Sequence, residues 1–421
     1  MHKNTKITSG QPFLGQLLSF IPKNIFEIVA LKHKSDLAHG TVSTWDHFVF
    51  VIYGVLTGHS GLREIGLNLT LMGDGLAQCG VNKVPAKSSI SDANRDRDSK
   101  VFGELYLSLL QYYAPELSDS YLHMKINGEI DPKMVEVFDS TTISLFKDVY
   151  KNCGRIPENG RKKGGVKTFT KFRLSDRVPN FICMKSASTN EKLFLLEFEL
   201  TPGSIAVFDK GFQSFNQYKQ WNDAGVFYVT RMNDNAKFKI LKIHKLEEID
   251  EHGVMQDSEI ELTFTSKTTG KLETVAARMV NYIDPETGEK LHFLTNLPKV
   301  KPLTVCMLYK NRWTIEPLFR QLKQNFELTY FLADSQEGIK TQIWIALILN
   351  LIFTVIHKKI KEAIDFTTMV KVVAKNALCY VKFIEFFKNP LILKEHKDKK
   401  LGIIQLDLFK KPKGVDLANT G

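Results

Sequence analysis

Tyr309-Lys-Asn-Arg312-Trp313-Thr-Ile-Glu316-Pro317-Leu-Phe-Arg320-Gln-Leu-Lys323 is the stretch on which the reading of this chain turns. Glu316 and Lys323 stand seven residues apart, and at about 100° per residue a helix brings such a pair onto one face. Arg312 lies four residues before Glu316 and Tyr309 seven before it, so one continuous helix puts all four on a single stripe. Pro317 opens a second reading, because proline is tolerated in a first helical turn or at a kink. Thr314 then caps a new helix, Tyr309 and Arg312 belong to the segment before it, and only Glu316 and Lys323 share a face. Periodicity alone also describes an amphipathic surface helix with Leu318, Phe319 and Leu322 turned inward.

Upstream, two short apolar runs each lead into an aspartate. Met134-Val-Glu-Val-Phe138 reads as a buried strand ending at Asp139, and Ile205-Ala-Val-Phe208 as another ending at Asp209. Gly211 fits a tight turn that leaves the second carboxylate exposed. A strand-end aspartate is common where a strand runs into a turn, so neither residue decides anything alone. Between them, Thr168 to Leu174 and Asn180 to Met184 read as strands. Ser214 to Asp223 reads as a helix and Val226 to Thr230 as a fifth strand. This order describes a mixed α/β sheet.

Further out the rhythm changes on both sides. Phe13, Leu17, Leu18 and Ile21 recur at helical spacing, as do Phe48, Ile52, Val55 and Leu56, and Phe102, Leu105, Tyr106 and Leu109. Between the last two sets lies Lys87-Ser-Ser-Ile-Ser-Asp-Ala-Asn-Arg95-Asp-Arg97, where Ser and Asp can cap a helix start. That segment reads either as a helix N-terminus offered to DNA phosphates with Arg95 and Arg97 beside it, or as an ordinary solvated helix of mixed charge. Residues 233–300 alternate polar and apolar, with turns at Thr269-Gly270 and Pro285-Glu-Thr-Gly288, as an all-β insertion does. Helix returns from about residue 303, and the end of the chain is Lys-rich at 397–400 and 410–413. The organisation expected is 1–125 helical, 126–232 first part of the core, 233–300 β insertion, 301–357 second part of the core, and 358–421 helical then basic.

Composition agrees with a polyanion-binding protein. The 421 residues carry a formal charge of +11, with a pI of about 9.1 and 43% hydrophobic residues, a balance that favours nucleic acid as partner. The five cysteines lie far apart and form no C-x-x-C pair, which speaks against a zinc site or a disulfide framework and for reduced thiols in a cytoplasm. The polar start shows no signal peptide. The most apolar run, Ile343 to Ile356, is shorter than the ~20 residues of a membrane span and reads as a buried helix.

The spacing Tyr309-x2-Arg312-x3-Glu316-x6-Lys323 resembles the YREK signature of DDE transposases, in the group typified by insertion sequence four, and the match is complete. The wider layout is similar too: an aspartate on a first strand, an aspartate on a fourth 70 residues on, and a glutamate helix 107 residues beyond that. The Lys163-Gly-Gly-Val-Lys167 run and Ser88 to Arg97 also look like the family. The resemblance implies a ribonuclease H-like core interrupted by an all-β subdomain, a helical N-terminal domain that binds DNA ends, and a helical C-terminal segment. It implies Asp139, Asp209 and Glu316 as catalytic residues holding two Mg²⁺ ions, with Mn²⁺ able to substitute. Two such ions stand about 3.5–4 Å apart in phosphodiester chemistry, and hard cations take carboxylate oxygens. Arg312 and Lys323 become phosphate clamps, Tyr309 a contact to the same phosphate or the end nucleotide, and Trp313, Arg95, Arg97, Lys163 and Lys167 further DNA contacts. Double-stranded DNA is the expected partner, with a homodimer in the synaptic complex and a bacterial cytoplasm as the location.

One departure concerns aromatic residues. Family relatives carry a Trp in the insertion that stacks on a flipped base during hairpin formation. Here the tryptophans are Trp45, Trp221, Trp313 and Trp344, none within 233–300. Phe238, Phe264, Tyr282 and Phe293 offer alternative stacking faces. Two other functions stay open on the sequence: a ribonuclease H-like nuclease that cuts without transposing, and a DNA-binding relative that has lost catalysis.

Overall fold

The computed structural model describes residues 10–388 apart from 38–41, 60, 118–124, 145–164, 176–178, 188, 190, 196–197, 234, 247–252, 267–268, 327, 329 and 362. Lys163 and both lysine clusters of the C-terminal tail lie outside the described residues.

A nine-stranded sheet forms the centre. Its strands are β1 (Val135–Ser144), β2 (Gly165–Arg173), β3 (Pro179–Ser186), β4 (Ile205–Phe208), β5 (Phe227–Arg231), β6 (Phe238–His244), β7 (Val254–Thr265), β8 (Leu272–Ile283) and β9 (Lys290–Thr295). Their order across the sheet is β3-β2-β1-β4-β5-β9-β8-β7-β6. The first three pair antiparallel, while β1 with β4 and β4 with β5 are parallel. The β4–β5 link is a right-sized crossover through helix Phe215–Asp223, as parallel neighbours need.

The expected insertion is all-β, but it is not a separate sheet. Its last strand, β9, pairs antiparallel with β5 through Val229↔Thr295 to Arg231↔Phe293. The core sheet therefore runs on without a break into the β9-β8-β7-β6 meander. β1 also differs from expectation, continuing five residues past Asp139 because β2 pairs with it as far as Ser144↔Gly165. Asp139 thus sits inside a strand rather than at its end.

The helices are α1 (Phe13–Leu18), α2 (Lys23–Lys32), α3 (Thr44–Thr57), α4 (Leu62–Leu71), α5 (Gly75–Gln78), α6 (Lys87–Asp96), α7 (Lys100–Leu117), α8 (Glu191–Phe194), α9 (Phe215–Asp223), α10 (Pro302–Lys310), α11 (Ile315–Asn325), α12 (Gln336–Lys359), α13 (Phe366–Lys375) and α14 (Phe383–Lys388). α6 begins at Lys87 after Ala86, with no side-chain cap, so neither Ser nor Asp of that segment starts it. α12 is the axis of the helical part. It extends seven residues before and three after the apolar run seen in the sequence, and Ser335 caps it by accepting from the Gly338 N–H. Its length and hydropathy would suit a membrane span, yet 83% of its apolar window is buried inside the protein.

α12 packs on α3, α6 and α7. The approach to α7 is close: a Cβ on Gly103 would come within 2.9 Å of the Trp344 ring. The two ends of the described chain also meet, with Phe13 N–H donating to Cys379 O and Leu14 N–H to Ala377 O. The N-terminal helices therefore close no core of their own. One apolar cluster runs from Phe13 through Val137, Val207 and Ile348 to Phe387, on one face of the sheet, and a second, smaller one (Phe138, Phe169, Phe208, Tyr218, Trp221) fills the other.

Candidate active site

The sheet register brings the two aspartates together. Val135↔Ile205, Glu136↔Ala206 and Val137↔Val207 are the parallel pairs of β1 and β4, and two more steps set Asp139 opposite Asp209. Side chains alternate along a strand. Phe138 and Phe208 enter the smaller core, while Val137 and Val207 enter the larger one. Asp139 and Asp209 share the latter side, where α10 lies against β4 and α11 against β1. β4 stops at Phe208, and a single 3-10 turn, Lys210–Phe212, carries the chain away. Asp209 is left at the mouth.

The 309–323 stretch is broken where Pro317 predicted it. α10 ends at Lys310, a 3-10 turn spans Asn311–Thr314, and α11 starts at Ile315 with Pro317 in its first turn. Two of the four signature residues still bond the aspartates, and the other two lie beside them. Tyr309 Oη donates to Asp209 Oδ1 at 2.9 Å. Arg312 Nη1 donates to Asp139 Oδ2 at 3.2 Å, and its Nη2 lies 3.6 Å from Glu316 Oε1. Its guanidinium also stands 5.6 Å from the Tyr309 ring centre. Lys323 Nζ donates to Thr141 Oγ1 at 2.9 Å and to Thr142 O at 3.2 Å, which fixes α11 over the strand just past Asp139.

Electrostatics single out Asp139. Burial pushes its carboxyl up from the usual range, against the pull of Arg312 and the Ser140 N–H; the charges of Asp209 and Glu316 add to the rise, and the result is about 6. Asp139 therefore feels both of the other acids. Burial, and then the neighbouring Asp209, holds the Tyr309 phenol well above its usual value, so it is a neutral donor. Burial lowers the Lys323 ammonium. Glu316 is the accessible member, its side chain 52% exposed.

The other expected DNA contacts fare unequally. Trp313 is 42% exposed, directly after Arg312 in the chain. Arg95 is exposed but bridged to Asp92 and Asp96. Arg97 is a correction: it is 1% exposed, and its guanidinium donates to Val42 O at 2.8 Å and to Ser43 O. It holds the loop before α3 rather than facing solvent, and burial lowers its pKa to about 10. Lys167 is turned inward, paired with Glu191 at 2.6 Å. Tyr309 is 1% exposed with its ring against Phe293, so the ring offers no face to a nucleotide in this conformation. Of the four insertion aromatics, Tyr282 and Phe293 are buried and Phe264 is half-buried, resting on Phe215. Phe238 is 39% exposed on the outermost strand. Sequence reasoning passed over Ser140, Thr141 and Glu191. Ser140 and Thr141 follow Asp139 directly and contact Glu191 and Lys323, whereas Glu191 reaches Ser140 only through the fold and leaves no local signal.

Carboxylates on neighbouring parallel strands, just past their paired stretch and faced by Tyr309 and Arg312, define a class of site in which an α/β sheet offers a ligand its open side. Residues 131–351, which contain every one of these groups, match the family described as Transposase DDE domain, and the chain belongs to that family. Residues 9–82 match a second family, described as a domain of unknown function. The chain is similar to the putative transposase y4zB of Sinorhizobium fredii, at 25% identity over 63% of this chain and 69% of that one. It is also similar to the putative transposase for insertion sequence element IS4SA of Synechocystis, at 27% identity over 63% and 70%. Among solved structures, the piggyBac transposase in a synaptic complex with hairpin DNA aligns with 98% of this chain and 86% of that one, at 12% identity and a TM-score of 0.42.

Proposed function

We propose that the chain is an insertion-sequence transposase of the YREK type, which cuts DNA at the ends of its element and joins the freed 3′-OH to target DNA, with Asp139, Asp209 and Glu316 as its catalytic acids. The observation that carries this is that Tyr309 and Arg312 bond the two aspartates that the β1–β4 register brings level, with Glu316 on the same Arg312 and Lys323 on the strand just past Asp139. The β3-β2-β1-β4-β5 order, with parallel β1-β4-β5 and an antiparallel flank, supports a ribonuclease H-like core as the scaffold.

The three acids fit a hard divalent cation in kind, since Mg²⁺ and Mn²⁺ favour carboxylate oxygens. Among the described residues no three acidic, His or Cys side chains are gathered closely enough to hold a metal, and Arg312 lies between Asp139 and Glu316. Rotation of the exposed Glu316 and release of Arg312 would draw the set together. Asp139, Asp209 and Glu316 would hold two ions, which when bound supply Lewis-acid activation of the attacking oxygen and stabilisation of the leaving one. Arg312, once free of the acids, has the planar fork that grips a phosphate by two hydrogen bonds. Tyr309 orients Asp209 by its donated hydrogen bond.

Protons and cations compete for Asp139. With its carboxyl near 6, the group is ionised at pH 7.5 and protonated below 6. The Mg²⁺ concentration for half-maximal cleavage is expected to rise about tenfold per pH unit below pH 6 and to be flat above pH 7. A titration of cleavage rate against Mg²⁺ at several pH values measures this.

Joining separates the proposal from a nuclease that only cuts. Pre-cut element ends with free 3′-OH groups, incubated with the protein, Mg²⁺ and a supercoiled plasmid, are expected to give plasmid covalently joined to the ends. Cutting without joined product would favour the nuclease. A synaptic homodimer is part of the same reading, as two ends must be held together.

A further inference from the structure

A fourth carboxylate touches the site from an element that the signature does not include. Glu191 opens α8, in the connection between β3 and β4. Its Oε1 accepts a hydrogen bond from Ser140 Oγ at 2.7 Å and pairs with Lys167 Nζ at 2.6 Å. Its Oε2 lies over Gly211, so close that a Cβ there would collide with it. Ser140 directly follows Asp139, and Gly211 is two residues beyond Asp209. Glu191 thus touches both chain segments that carry the aspartates. Its own place is fixed by Phe194 of the same helix turn, which stacks on Phe169 of β2 at 4.2 Å and also meets Phe212 of the turn after Asp209.

We propose that Glu191 is a positioning residue, which fixes the spacing and direction of Asp139 and Asp209 by tying Ser140 and Lys167 to the turn at Gly211. The inference rests on the assignment of the two aspartates as metal-holding acids. The paired register of β1 and β4 runs to Val137↔Val207, two residues short of the acids. Beyond that point Glu191 braces the two segments from the side, through its hydrogen bond from Ser140 and its packing over Gly211. It also neutralises the Lys167 ammonium, which would otherwise stand as an unpaired cation near a site that must admit divalent cations. A side chain at Gly211 would push the Glu191 carboxylate aside.

The test measures metal uptake apart from turnover. Calorimetric titration of DNA-free full-length protein with Mn²⁺ is compared for wild type, Glu191→Gln, Glu191→Ala and Gly211→Ala, together with the Mg²⁺ dependence of end cleavage. Loss of an outer partner of a metal ligand lowers metal affinity about 10–100-fold. Glu191→Ala and Gly211→Ala are expected to weaken Mn²⁺ binding and raise the half-saturating Mg²⁺ within that range, with DNA-end affinity unchanged. Glu191→Gln, which keeps an acceptor for Ser140 but not the charge opposite Lys167, is expected to fall between; it also carries the test if the alanine variants fail to fold. Wild-type Mn²⁺ affinity in a folded Glu191 variant would overturn the proposal. Asp139→Asn separates the two readings. If it abolishes Mn²⁺ binding while the Glu191 variants keep it, the positioning role alone fails. If Asp139→Asn binds and cleaves as wild type does, the assignment of the aspartates fails first.

Discussion

Asp139→Asn is expected to lower metal-dependent cleavage of element ends by at least about 10³-fold while leaving end binding intact. Asp139 is the acid on which the charges of both Asp209 and Glu316 act, and it holds the guanidinium that also reaches Glu316. Asparagine keeps the volume and an acceptor for Arg312 but brings no negative charge to a cation. Metal stabilisation of a phosphoryl transition state amounts to several kcal/mol, and each ~1.4 kcal/mol is a factor of ten in rate. DNA affinity should hold, because most of it comes from many phosphate contacts with basic groups. Single-turnover cleavage and a gel-shift titration on one protein preparation check both halves. Cleavage within tenfold of wild type would remove Asp139 from the catalytic set.

Ala346→Asp is expected to abolish recovery of soluble folded protein. Ala346 is fully buried in α12, the helix shared by the N-terminal helices and the sheet-side core. An uncompensated carboxylate there costs roughly 3–5 kcal/mol or more, against a total stability of about 5–15 kcal/mol for a folded domain. The added volume against close-packed neighbours raises the cost further. Leu107→Asp is the matched control: Leu107 is 43% exposed on α7, and surface changes of this sort stay within about 0.5 kcal/mol. Soluble yield and thermal melting of the two variants make the comparison. Equal behaviour would mean that α12 is not the common core helix.

The contrast between these two sites bears on what the sequence could reveal. Local patterns were sound guides where the cause was local. Ile205–Phe208 is a strand with the limits its apolar run implied, and Pro317 marks a helix start because a proline ring fits a first turn and little else. Nonlocal pairing was invisible. Ser140-Thr-Thr-Ile-Ser144 carries no strong strand pattern and is a strand because β2 pairs with it. The β insertion alternates like an independent sheet, yet the pairing of Val229 with Thr295 fuses it to the core. Arg97 shows a further limit. Its charge reads as surface, but two loop carbonyls accept from its Nη1 and Nη2 in the buried position. In the candidate site, spacing along the chain pointed to Tyr309, Arg312, Glu316 and Lys323. Glu191 has no such spacing to advertise it, since only the folded sheet brings it to Ser140 and Gly211.

The most direct test of the account is strand-resolved mapping of an element-end duplex after incubation with the wild-type protein, in Mg²⁺ and in EDTA. The acid site predicts cleavage at the element boundary that leaves a 3′-OH, present with Mg²⁺ or Mn²⁺ and absent in EDTA. Cleavage that persists undiminished in EDTA would contradict it.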